Sequence, residues 1–139
     1  MTLTDLERYR KLKIRHKEAI QMIEELRSRA VPGSPALDGM PHGSGVSDKV
    51  GTLAIMIADL EAKLPSYERQ IIKEHDRIEE FIRSIEDDKT RMIFRLRFQA
   101  GKSWKEVADV MGKWQTEASV RSRAYRYLNL DINGNIYAD

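Results

Sequence analysis

Residues 89–128 read KTRMIFRLRFQAGKSWKEVADVMGKWQTEASVRSRAYRYL, and the placing of glycines, caps and apolar residues in this stretch predicts three short helices. Asp88-Lys89-Thr90 leads into RMIFRLRFQA, where Met92, Ile93, Leu96 and Ala100 share one face at helical spacing. Gly101 follows as a C′ glycine, the residue that enters the left-handed region at no steric cost. Ser103 then caps a second helix, with Glu106 at the third position completing a capping box. Its apolar positions are Trp104, Val107, Ala108 and Met111, and Gly112 ends it with a left-handed turn. After Lys113-Trp114-Gln115, Thr116 caps a third helix whose Val120, Ala124, Tyr127 and Leu128 face inward. This order is that of a helix-turn-helix, in which the small Ala108 lets two helices cross closely. The turn after Gly112 is longer than in the shortest version of that motif.

The same stretch holds the positive charge. The chain's net charge is only +2, yet residues 89–127 carry ten Lys and Arg against three Asp and Glu. Residues 1–88 carry 14 against 17. A compact basic segment attracts polyanions, and a phosphate backbone is the commonest of these. Projected at helical spacing with Val120, Ala124 and Tyr127 toward the core, the third helix turns Ala118, Ser119, Ser122, Tyr125 and Arg126 outward. Arg121 and Arg123 lie on the flanks. In such motifs the second helix of the pair enters the major groove. Ser119, Ser122 and Arg126 are therefore expected at base edges, with Arg121 at the border of that set. Arg123, Lys102, Lys105 and Lys113 are expected at phosphates, which position without reading sequence. The helix N-terminus at Thr116 adds partial positive charge.

Upstream the pattern lengthens. Residues 1–30 read as one helix, capped by Thr4 with Glu7, with a heptad seam of Tyr9, Leu12, His16, Ala19, Ile23, Leu26 and Ala30. Leu6, Ile14, Ile20 and Met22 widen its apolar face. Residues 31–47 hold three of the four prolines and read as a flexible linker. Ser47 or Asp48 caps a long coiled-coil helix over residues 48–86, with a seam from Leu53 through Ile57, Leu60, Leu64, Tyr67, Ile71, His75, Ile78 and Ile82 to Ile85. Pro65 inside it predicts a kink or a short break with a restart at Ser66. The expected architecture is all-α: a long antiparallel helical hairpin, a helix-turn-helix domain over 87–130, and a loose tail at 131–139. A two-helix hairpin buries little surface per residue, so a homodimer through the coiled coil is expected.

The string RMIFRLRFQAGKSWKEVADVMG followed by ASVRSRAYRYL resembles region 4 of sigma-70-type factors, and more closely phage late-gene regulators of the RinA/ArpU kind. ALDGMPHGSGVSDKVG, between the two long helical stretches, is similar to small proteins of Gram-positive prophages. Together these strings extend the resemblance over nearly the whole chain. It implies a phage-encoded, sequence-specific binder of double-stranded DNA that activates late genes, with RNA polymerase a possible partner. It also implies that Arg121, Arg123 and Arg126 are recognition-helix positions. A DNA-packaging component of the small-terminase type is the alternative, since it too joins a DNA-binding helical domain to an oligomerising coiled coil.

Other classes find no footing. Absence of cysteine excludes disulfides and thiolate metal sites. No phosphate-binding Gly-rich loop, nucleophile elbow or H-E-x-x-H string occurs, so neither an enzyme nor a cofactor is expected. His16 and His75 lie on seams without a third ligand at matching spacing and read as polar seam residues, not a metal site. Glu24-Glu25, Glu79-Glu80 and Asp87-Asp88 read as solvated faces, and Asp131-Ile-Asn-Gly-Asn as a turn lacking the acidic residue a calcium loop needs. The charged N-terminus and the absence of long apolar runs predict no signal peptide, no membrane span and a cytoplasmic location.

Overall fold

Five α-helices account for most of the described residues: α1 Leu3–Ala30, α2 Ser44–Arg83, α3 Asp88–Phe94, α4 Trp104–Met111 and α5 Glu117–Tyr127. The computed structural model describes residues 1–30 and 44–136. The protein is all-α, with one isolated bridge, Leu130 to Ile136, among the described residues. No described helix is long and apolar enough to cross a membrane.

The heptad seams are the buried faces. On α1, Tyr9, Leu12, Ala19, Ile23 and Leu26 are buried and His16 half-buried. Along α2, Leu53, Ile57, Leu60 and Leu64 are half-buried and Ile78 and Ile82 fully buried; the helix ends at Arg83 and not at residue 86 as expected, and the last seam residue, Ile85, is fully buried just beyond it. Off the seam, Leu6 is buried and Ile14 and Ile20 are half-buried, but Met22 is 44% exposed, so the wider apolar face fades along α1. That start lies earlier than expected. Thr2 and Asp5 form the capping box, Thr2 Oγ1 accepting the Asp5 N–H and Asp5 Oδ2 accepting the Thr2 N–H, both at 3.2 Å. Thr4 and Glu7 carry the same signature two residues on, but Glu7 pairs with Arg97 at 3.1 Å instead.

α2 also departs from expectation. It begins at Ser44 rather than beside Ser47 or Asp48, and the rest of the expected linker, residues 31–43, lies outside the described residues. It runs through Pro65 without a restart at Ser66. A proline interior to a helix frees one carbonyl of the preceding turn; here Gln70 Nε2 donates to the Ser66 carbonyl at 3.2 Å and to its hydroxyl at 3.1 Å just beyond it.

The chain forms two compact units, and both long helices contribute to each. One is Ile14–Gln70. Within it Ala19, Ile23 and Leu26 are buried, and His16 meets Glu68 at 3.2 Å while Arg27 meets Glu61. The other comprises Met1–Lys13 and the chain from Ile71 on. Its core joins Leu6 and Tyr9 of α1, Ile78, Ile82 and Ile85 of the α2 end, Ile93, Phe94 and Phe98, and Trp104, Val107, Val120 and Ala124. The expected boundary at residue 87 therefore does not delimit this unit: the three short helices share their core with segments of both long ones.

Between α3 and Gly101 the backbone opens into one π-helical turn, Arg95–Gln99, in which Ala100 N–H bonds to the Arg95 carbonyl. Thr90, Ile93 and Phe94 are buried, and Phe98, four residues past Phe94, falls on the same face. Phe98 is fully buried, whereas Met92, expected inside, is 47% exposed. Arg97, left at the core margin, stacks its guanidinium on Trp104 at 4.5 Å from the ring centre. Rings then meet edge to face from Phe81 through Phe94 to Tyr127, and from Phe98 through Trp104 to Tyr125.

The tail is tied down as far as it is described. Leu130 is buried, and Asp131 Oδ1 accepts the N–H groups of Asn133 and Asn135 at 2.8 and 2.9 Å. A turn is present as expected, but a closed one; residues 137–139 lie outside the described residues.

Candidate nucleic-acid interface

α4 and α5 pack against one another and α3 packs on α5, so α5 is held from two sides. Ser103 caps α4 with the reciprocal Glu106 bond, and the Ser103 N–H that the Glu106 carboxyl accepts holds that carboxyl below the usual range. Gly112 ends α4 at φ 128°, ψ 161°, which is not the left-handed helical region expected but an extended region that essentially only glycine occupies. The Gln115 N–H returns to the Gly112 carbonyl at 3.0 Å and closes the turn.

Thr116 caps α5 through its Oγ1, which accepts the Ser119 N–H at 3.1 Å. Ser119 answers: its hydroxyl accepts the Thr116 N–H at 2.9 Å and lies 3.1 Å from Gln115 Oε1. Ser119 was expected at a base edge, but its hydroxyl is committed to this capping box. Val120 and Ala124 are fully buried, as the projection required. The last turn differs. Tyr125, expected outward, packs edge-on against Trp104 with ring centres 6.0 Å apart. Tyr127, expected inward, is 42% exposed at the rim. Arg121 is half-buried, with its Nε buried and unpartnered.

Ser122, Arg123 and Arg126 come together on the remaining face. Arg126 Nη2 donates to Ser122 Oγ at 3.2 Å, and Arg123 Nη1 donates to Asp87 Oδ2 at 3.2 Å. With Ser119, these residues line a cleft of about 570 Å³ whose other wall is Asp87 and Thr90 of the α3 start, with Gln115 and Tyr127 at its ends. Asp87 is the N-cap of α3. Hydrogen bonds from the Thr90 hydroxyl and N–H, then the Arg123 guanidinium, hold its carboxyl below the usual Asp range. The Asp87-Asp88 pair is exposed, as expected: Asp88 pairs with Arg91, and Asp87, while exposed, lines the cleft. Asp87 and Thr90 could have been found by the cap spacing alone; their meeting with α5 could not.

Lys105 and Lys113 are exposed and Lys102 half-buried. Folding divides the basic set. Arg91, Arg95, Arg97 and Arg123 are drawn into ion pairs with Asp88, Glu79, Glu7 and Asp87. Lys89, Lys102, Lys105, Lys113, Arg121 and Arg126 have no ion-pair partner among the described residues. Trp114, unremarked in the sequence, is 86% exposed on the α4–α5 turn, with Lys113 Nζ 5.8 Å from its ring centre.

His75 Nδ1 lies 3.1 Å from the Tyr9 hydroxyl, and His16 is with Glu68, so each histidine has a polar neighbour. No cluster of three or more metal-ligating side chains exists among the described residues. No family model, curated protein or solved structure matches the chain.

Proposed function

We propose that the protein is a sequence-specific binder of double-stranded DNA, with α4 and α5 acting as a helix-turn-helix and α5 lying in the major groove. The observation that carries this is the division of α5: Val120 and Ala124 are fully buried, and the opposite side brings Ser122, Arg123 and Arg126 to one open cleft. Ser122 and Arg126 are the base-reading side chains of this proposal, and Lys102, Lys105 and Lys113 meet phosphates. The capping box at Thr116 points the α5 N-terminus and its partial positive charge toward the backbone.

The proposed role is that of a phage or prophage late-gene regulator with a sigma-region-4-like motif, resting on the sequence resemblance. The two long helices form an antiparallel hairpin arm in this proposal, as the partners His16–Glu68 and Arg27–Glu61 support by running in opposite directions. Exposed Ile55 and Met56 on α2 favour association of that arm with a second copy, and RNA polymerase is a proposed further partner.

Binding of labelled duplexes by wild type, Arg126→Ala and Lys105→Ala tests the assignment. Arg126→Ala is expected to cost about 1–3 kcal/mol on a preferred site and relax selectivity there. Lys105→Ala weakens all duplexes alike and lowers the salt slope by about 1. Unchanged binding by both variants would overturn it. Light scattering on the full chain separates a dimeric regulator from the large ring expected of a packaging component.

A further inference from the structure

Asp87 sits where a DNA-facing surface would not ordinarily carry an acid. Its Oδ2 accepts three bonds: the Thr90 N–H at 2.9 Å, the Thr90 hydroxyl at 2.7 Å and Arg123 Nη1 at 3.2 Å. Thr90 is only 5% exposed, so the carboxylate is fixed to the core through its own helix cap. Arg123 comes from a different helix, and its guanidinium is caught by one nitrogen. A guanidinium is a rigid planar fork of five N–H donors, so one tethered nitrogen leaves the others aimed in a set direction.

Two physical points decide what this does. An exposed ion pair adds little to stability, so holding the fold together does not account for it. A carboxylate repels phosphate, so the pair does not suit a backbone contact either. Aiming an arginine at a base does account for it. Arg126, one turn further along α5, is likewise held at one nitrogen by Ser122 at 3.2 Å, and both arginines line the same cleft. Pre-aimed side chains lose less freedom on binding.

Resting on the DNA-binding reading above, we propose that Asp87 is a positioning residue that directs Arg123 onto a base edge, most suitably the O6 and N7 acceptors of a guanine in the major groove. Arg123 is then a specificity determinant and not the phosphate contact that its flanking position on the helix suggested.

The test is selection from a pool of duplexes with a randomised centre, using wild type, Arg123→Ala, Asp87→Ser and the double variant. Serine preserves an N-cap acceptor for the Thr90 N–H while removing the carboxylate, and Asp87→Asn serves if the serine variant loses helicity. Wild type is expected to prefer guanine at one position. Both single variants lower that preference about tenfold at that same position and leave the others intact. The double variant loses no more than Arg123→Ala alone. If Arg123→Ala weakens all duplexes evenly, or Asp87→Ser retains the full preference, the inference is overturned while the DNA-binding reading stands. If wild type binds no duplex at all, both are overturned.

Discussion

Phe98 lies within the π turn at Arg95–Gln99, is fully buried, and meets both Phe94 and Trp104. Phe98→Ala is expected to cost about 3–5 kcal/mol in urea unfolding, the range for emptying a buried aromatic site. Charged residues make a separate contribution that depends on pH. Asp5, Glu79, Asp87, Glu106 and Asp131 are held below their ordinary values of 3.8 and 4.5, mainly by hydrogen bonds from Thr2, Gln99, Thr90, Ser103 and Asn135 respectively. A carboxyl whose folded pKa is depressed stabilises the fold above its ordinary pKa and ceases to do so as pH falls through the folded value. The melting temperature should thus be level down to about pH 5 and fall below that, with Glu79→Gln flattening the acid limb. A melting temperature indifferent to acid would contradict these assignments. At this scale the caps were legible where one signature stood alone, as at Ser103 and Thr116. Where two overlapped, as at Thr2–Asp5 and Thr4–Glu7, spacing could not choose between them.

Helices and turns carry the next set of consequences. The seams of α1 and α2 were legible because burial on a straight helix follows heptad period, and Ile78, Ile82 and Ile85 are fully buried as that period requires. The π turn was not, since no side-chain signal marks one extra backbone residue; on the α-helical turn before it Met92 is exposed although expected inside, while Ile93 and Phe94 are buried. The last turn of α5 escaped for a related reason: helical projection ignores the Trp104 ring, against which Tyr125 packs. Gly112 gives a sharp test. A methyl group there meets nothing within 4 Å, so any penalty for Gly112→Ala comes from its φ of 128° alone. We expect about 1–3 kcal/mol in thermal or urea unfolding; a neutral substitution would show that the turn relaxes freely. Pro65→Ala, inside continuous α2, should raise stability by up to about 3 kcal/mol in the same assay, and a loss would mean that the proline has a packing role.

Across the whole molecule, the three short helices read from the sequence as a self-sufficient domain, yet their core is completed by Leu6 and Tyr9 from one end of the chain and by Ile78, Ile82 and Ile85 from the end of α2. Local periodicity reports that a face is apolar, not which distant segment covers it, so the boundary at residue 87 was beyond its reach. A fragment of residues 87–136 is accordingly expected to lack cooperative unfolding by circular dichroism, and a sharp transition would contradict the shared core. The charge tells a similar story. The excess over 89–127 was countable in advance, but only the fold shows that four of the ten cations are paired and that Arg123 and Arg126 of α5 line one cleft. The most direct test of the central claim is the salt dependence of duplex binding by the full chain, followed by fluorescence anisotropy. Release of counterions by three to six of the unpaired cations predicts saturable binding whose log affinity falls linearly with log salt, at a slope of about −3 to −5. No saturable binding at low salt, or a slope near zero, would contradict it.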